Sequence, residues 1–473
     1  MIVFYLTRND GSRKKPYEII PKSLRFARVV TGLFLVLSIL LLIYVFYRSE
    51  VVFHGRFSDV YIKYYLISVF CIIFWILVLR LRDEIKLNVI MVTISLVMGI
   101  YTAEFYFHFF DSIDIDYSDH REGRVAAAKA VGIKFNTQTK REFYQSLKHD
   151  EYDVVPSVHP REFIQTNGIL GKKALYPLAG ISEKTTIYCN ESGEYAVFLS
   201  DRYGFNNPNL EWDFAQIDWA LIGDSFAQGA CVNPGEEIAG QIRLLTNESL
   251  INLGMGGNGL LAELASLKEY AESRKPKKII WLYYEGNDLL DMEKEKSASL
   301  LMNYLKPNFS QNLINRQVEI DKRLSKYISD AEIDSGRPHF RPDFVNLKGF
   351  LKVLRLTNIR RHIGFDLTVG PLFKEVLKQA RDRTVGWGGE IFFVYLPNYT
   401  RYKTKIYNHD LYMKRGIIID TVKSLNIPVI DIHKKVFENH PDPLSLFPFR
   451  LFGHYTAAAN TEIAKAITLS VSK

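Results

Sequence analysis

The chain has 473 residues and a formal net charge of +8, long enough for more than one domain and a sizeable core. The positive charge is uneven, because residues 1–28 carry Arg8, Arg13, Lys14, Lys15, Lys22, Arg25 and Arg28 against only Asp10 and Glu18. A basic stretch of that kind suits nucleic acid, but the long apolar run behind it points to a membrane and argues against a nucleic-acid partner.

Three apolar runs, 29–47, 60–79 and 87–110, are each about long enough to cross a bilayer of ~30 Å. Lys63 interrupts the start of the second, where its stem can snorkel to the interface. Glu104 lies near the far end of the third, among Tyr101, Phe105, Tyr106, Phe107 and Phe109. The first run is no signal peptide, since no small-residue cleavage site follows it and two more runs do. The basic tail and the Arg-rich loop at 80–86 belong in the cytoplasm by the positive-inside rule. Three crossings then leave everything after residue 110 outside, on the periplasmic face of an inner membrane in a Gram-negative cell.

Of the three cysteines, Cys71 falls inside the second run. Cys189 and Cys231 are the pair left in the rest of the chain, and an oxidising compartment would allow them to join. Two unrelated buried thiols are the alternative. No Cys/His cluster has zinc-ligand spacing, so no metal and no cofactor is expected.

Residues 111–212 connect the membrane segment to the rest. Helices are expected at 124–133 and 139–148, a loop with short strands at 156–180, and a hairpin over 186–199 around Asn190–Gly193. The turn-rich 201–208 is expected to pack against the core. From residue 213 strands and helices alternate, which predicts a parallel doubly wound sheet. Strands are expected at 215–222, 250–253, 278–284, 390–396 and 428–432, with helices at 236–246, 260–273, 371–384, 410–425 and 456–470. An insertion, 292–366, follows the third strand, with helical patterns at 312–329 and 347–363; its length suggests a lid or specificity subdomain. Lys352, Arg355, Arg360 and Arg361 on it suit an anionic polymer or lipid head groups, or simply form a solvated face.

Four motifs fall at element ends on one edge of this sheet: Gly223-Asp224-Ser225, Asn252 to Gly259, Gly286-Asn287-Asp288, and Phe452-Gly453-His454-Tyr455. The second also satisfies a Gly-x-Gly-x-x-Gly dinucleotide fingerprint. That reading needs an acid ~20 positions on, where Glu285 comes late, and it needs the first strand-to-helix turn, which the Gly-Asp-Ser motif occupies instead.

In this order the motifs resemble the SGNH/GDSL hydrolase superfamily, by blocks from about residue 213 to the end. The resemblance implies a flavodoxin-like α/β/α sandwich, here preceded by three transmembrane helices. It implies Ser225 as nucleophile and His454 as general base, with an oxyanion hole from the N–H groups of Ser225 and Gly257 and the side chain of Asn287. The chemistry suits those types: a serine hydroxyl needs a base, an imidazole titrates near 6.5, and each oxyanion donor contributes ~2.7–4 kcal/mol at the transition state.

One departure stands out. The family places an Asp three residues before the His, where this chain has Leu451. Either the pair acts as a dyad or another carboxylate orients the ring, with Asp431 and Asp442 as candidates; turn and loop formation are their other readings. The sequence therefore reads as a membrane-anchored extracytoplasmic serine esterase or O-acyltransferase. Its expected substrate is an acyl, chiefly acetyl, ester of a cell-envelope glycan, with a membrane acyl-donor protein as partner if it is a transferase. A lipid esterase and a non-catalytic envelope assembly or glycan-binding protein are the alternatives.

Overall fold

The computed structural model describes residues 22–52, 58–110, 117–150, 152–169, 174–334, 354–356, 359, 369–403 and 408–471. The basic tail to residue 21 and most of the expected helix at 347–363, with Lys352, Arg360 and Arg361, lie outside them. The chain divides into two units, one holding residues 1–112 and 343–368 and the other holding 113–342 and 369–473.

In the first unit the apolar runs become α1 (Lys22–Phe46), α2 (Ser58–Leu79) and α3 (Asp83–Phe110), three helices long and apolar enough to cross a membrane. Their outer faces expose apolar side chains, the pattern of a helix whose solvent is lipid. Trp75 anchors the bundle, stacked on Phe34 at 4.7 Å between ring centres. Arg28 donates to Asp83 from Nε at 2.8 Å, which brings the starts of α1 and α3 together. Glu104, buried in α3, accepts the Ile359 N–H at 2.8 Å.

The second unit opens with α4 (Tyr117–Ala130) and α5 (Lys140–His149), the latter started by a Thr139–Glu142 capping box. A small sheet follows, β1 (Val154–Pro156) parallel to β2 (Thr185–Ile187), which pairs antiparallel with β3 (Val197–Leu199). The β2–β3 hairpin is the expected one. β1 is new, a strand too short and too Pro-bound to show a period of two.

The main sheet holds β4 (Trp219–Ile222), β5 (Leu250–Asn252), β6 (Lys278–Tyr284), β7 (Glu390–Leu396) and β8 (Val429–Asp431), all parallel in the order β5-β4-β6-β7-β8. This is the flavodoxin-like doubly wound order, with ligands expected at the carboxyl ends of the strands. Alternate residues of each strand enter opposite layers. Ile279, Trp281 and Tyr283 of β6 face a core shared with α8 (Leu260–Ser266), α9 (Asp288–Glu295), α10 (Ser299–Asn303), α11 (Gln317–Asp334), α12 (Pro371–Gly386) and α14 (Asn408–Ser424), while α13 (Thr400–Lys403) follows β7. Ile280 and Leu282 face a second core with α6 (Ser225–Gln228), α7 (Ile238–Thr246) and α15 (Ala457–Val471).

Two expectations shift. The first strand starts only at Trp219, and the Asp218 carboxylate just ahead of it accepts from Ser249 Oγ at 2.8 Å and Lys277 Nζ at 2.7 Å. The described part of the insertion packs into the core through Leu301, Tyr304, Leu313, Ile320 and Leu324 rather than standing over the sheet as a lid. The 201–208 turn does pack inward, with Asn206 donating to the Gln228 carbonyl at 2.9 Å and Asn207 to the Asn252 carbonyl at 2.9 Å.

Candidate active site

β4 ends at Ile222, and the chain turns through Gly223 and Asp224 into α6, whose first residue is Ser225. Asp224 caps that helix by accepting the Phe226 N–H at 2.9 Å. The turn leaves the Ser225 hydroxyl partly exposed at the carboxyl edge. His454, just ahead of α15, reaches the same point, with Nε2 2.9 Å from Ser225 Oγ. Phe226 backs the imidazole at 4.9 Å.

The ring is oriented from a part of the chain the motifs do not cover. Glu191 accepts the His454 backbone N–H at 2.7 Å and lies 3.1 Å from Nδ1. A carboxylate only accepts, so Nδ1 carries the proton and Nε2 is left to accept the Ser225 hydroxyl proton. Glu191 sits in the β2–β3 turn, which Asn190 closes by accepting the Gly193 N–H at 2.9 Å. Arg124 of α4 lies 3.1 Å from the same carboxylate and donates to the Phe452 carbonyl at 2.9 Å. Gly453 must lack a side chain here, since a Cβ would stand 2.5 Å from Glu191 Oε2.

Asp431 and Asp442 are therefore corrected as orienting acids. Asp431 pairs with Arg415 and Asp442 with Arg450, so both carboxylates are spent on guanidinium groups. Sequence reasoning missed Glu191 and Arg124. A signal did exist, because Glu191 lies two residues from Cys189, the expected partner of Cys231 shortly after Ser225.

That partnership is present: Cys189 and Cys231 form a disulfide. Glu191, Cys231 and His454 cluster in the manner of metal ligands, but a bonded sulfur offers no thiolate. The charges are coupled instead. Burial pushes the His454 imidazole down, and the Glu191 carboxylate outweighs it, for a net rise above the ordinary value. Burial alone would raise Glu191, yet His454 and Arg124 hold it at about 2.

Around the serine the remaining motifs converge. Gly254 and Gly256 donate their N–H groups to Asn252 Oδ1 at 2.9 Å and Gln228 Oε1 at 2.7 Å. Gly257 has φ +72° and takes the side chain of Arg161 where a Cβ would be. Asn287 gives one amide proton to Asp291 at 2.7 Å, and its Nδ2 lies 3.4 Å from Asp224 Oδ2. Asp224 in turn lies 3.4 Å from Ser225 Oγ. Glu285, the acid a dinucleotide would need, is instead buried against Arg401, with Nε to Oε1 at 2.9 Å.

No family model matches the chain, and no curated protein matches it. Solved structures do. A member of the lipolytic protein G-D-S-L family from Veillonella parvula DSM 2008 is 12% identical, with 54% of this chain and 99% of that one covered at a TM-score of 0.29. The lipase/acylhydrolase from Enterococcus faecalis is 13% identical, with 54% and 95% covered at 0.31. Axe2, an acetylxylan esterase from Geobacillus stearothermophilus, is 12% identical, with 54% and 94% covered at 0.29.

Proposed function

We propose that this protein is a membrane-anchored SGNH-type serine esterase or O-acyltransferase, acting on acyl esters, chiefly acetyl, of a cell-envelope glycan. The observation that carries the reading is the 2.9 Å contact between Ser225 Oγ and His454 Nε2, with Glu191 behind the ring. In this reading His454 takes the hydroxyl proton as Ser225 Oγ attacks the ester carbonyl. The oxyanion is met by the N–H groups of Ser225 and Gly257 and by Asn287. Gly257 is favoured because the N–H groups of Gly254 and Gly256 are already taken. The alkoxide leaves with the proton from His454, giving an acyl-Ser225 and a free alcohol. Water then regenerates the serine in an esterase, and a sugar hydroxyl does so in a transferase, for which a membrane protein would supply the acyl donor.

A lipid esterase is the second enzymatic form of the same chemistry. A non-catalytic assembly or binding role calls for Ser225 and His454 out of reach or sealed away, and the contact between a partly exposed serine and a histidine whose side chain is 23% exposed counts against it. The periplasmic side belongs to the proposal through the orientation of the basic tail, and the glycan through that location together with the family resemblance. The test is turnover of acetylated xylo-oligosaccharides and of 4-nitrophenyl acetate by the full chain in detergent. Hydrolysis lost in Ser225→Ala supports the reading. Equal rates in both proteins overturn it.

A further inference from the structure

The part of the second unit that holds the small sheet does more than lend Glu191. Its short 3-10 helix, Pro160–Phe163, carries Arg161 to the Asn252–Gly259 loop. A Cβ on Gly257 would stand 2.2 Å from Arg161 Cδ, 3.0 Å from Nε and 3.1 Å from Nη1. The arginine thus lies flat over the glycine assigned to the oxyanion hole. Arg161 is exposed, and its guanidinium makes no hydrogen bond or ion pair among the described residues.

The neighbouring carboxylate does not neutralise it. Glu162 accepts the His159 N–H at 3.0 Å through Oε1 and the Tyr327 hydroxyl at 2.9 Å through Oε2. The uncompensated charge is felt nearby. Burial first, then Lys140 and Arg161, push His159 down to about 3, and burial with Arg161 brings Lys140 to about 8 against the pull of Glu162. His159 itself packs on the adjacent glycine, Nδ1 lying 2.7 Å from where a Gly256 Cβ would be. This corner of the site is cationic, and its one exposed cation is unmatched among the described residues.

We propose that Arg161 is the anion-recognition residue of the site, receiving a carboxylate or phosphate carried by the alcohol part of the ester substrate. The inference rests on the hydrolase reading above. An acetyl group brings no charge, so a matched anion must sit on the alcohol. A guanidinium binds either oxyanion through paired N–H donors, and its place beside Gly257 sets that anion close to the ester.

The test uses the full chain in neutral detergent and three probes: acetylated methyl glucuronoside, its uncharged uronamide, and acetylated methyl glucoside 6-phosphate. Wild type, Arg161→Lys and Arg161→Gln are compared by kcat/KM, and fluorophosphonate labelling of Ser225 is read on the same preparations. Wild type should prefer one anionic ester over the amide by about tenfold or more, chiefly through KM and less so at high salt. Arg161→Gln should bring the ratio to about one, and Arg161→Lys should retain part of it. Whichever anion is preferred names the source. A wild type that labels but shows no preference overturns the inference, as does Arg161→Gln lowering all probes by one factor. A folded wild type that does not label fails the hydrolase reading instead.

Discussion

Glu191 and His454 share one proton's worth of chemistry, and their mutual stabilisation fixes the pH behaviour of the site. The carboxylate favours the protonated ring, so His454 titrates above the ordinary imidazole value of ~6.5 despite its burial. The base works only when neutral. Activity should therefore rise with pH along a limb lying above that value. Glu191→Gln removes the charge and leaves burial in command, so the limb should move to lower pH while kcat falls on the order of 10²–10⁴-fold. A pH–rate profile checks this, and an unmoved limb would contradict it. The stability signs follow from the same shifts. The raised His454 contributes stability at pH below its unfolded value, lost as pH rises through its folded one. The depressed Glu191 contributes stability above its unfolded value, lost as pH falls toward about 2. Ser225, Asn287 and His454 are legible in the sequence because each follows or precedes an apolar element. Glu191 is not, because the turn that holds it comes from outside the doubly wound fold and reaches the ring only through tertiary packing.

At the level of elements, Ser225, His454 and Glu191 come from three independent pieces: the β4–α6 turn, the segment before α15, and the β2–β3 turn. The disulfide from Cys189 to Cys231 ties the last of these to the first. Reduction should leave the main sheet folded, since neither of the cores on its faces includes the bond. It should free the Glu191 turn to drift, and an angstrom-scale misplacement of an orienting group can cost on the order of 10²-fold in rate. Dithiothreitol treatment with thiol titration, beside Cys231→Ser, checks this by kcat and circular dichroism. Full activity with both thiols titrated would contradict it. The proposed oxyanion hole gives a companion expectation: Asn287→Ala should lower kcat about 10²–10³-fold, and an unchanged kcat would remove Asn287 from the site. The buried parallel strands were readable as apolar runs. β1 was not, since three residues ending in proline carry no usable pattern.

For the molecule as a whole, the acids beneath the active-site edge set a second pH dependence of opposite sign to that of Glu191. Burial, then the Asp224 charge, raises Glu263 and Asp288 well above ordinary carboxyls, and burial lifts Glu295 to about 8. Such groups hold protons when folded and lose them when unfolded, so stability falls as pH rises from the ordinary carboxyl range toward 8. Glu263→Gln should narrow the Tm difference between pH 5.5 and pH 8.5 by about 2–4 °C. Calorimetry at the two values decides it, and an unchanged difference would mean that Glu263 is ionised when folded. The three helices long and apolar enough to cross a membrane were legible from hydropathy, and the doubly wound sheet from the alternation of strands and helices. The packing of α10 and α11 into the core of the main sheet was not, because helical periodicity does not say which core a helix joins.

In the proposed reaction Ser225 is a nucleophile activated by His454. Fluorophosphonate labelling of the full chain in detergent tests it most directly, with Ser225→Ala and His454→Ala beside the wild type. The wild type should label at Ser225, Ser225→Ala should not label, and His454→Ala should label about 10³-fold or more slowly. A folded wild type that does not label, or that labels equally without His454, would contradict it.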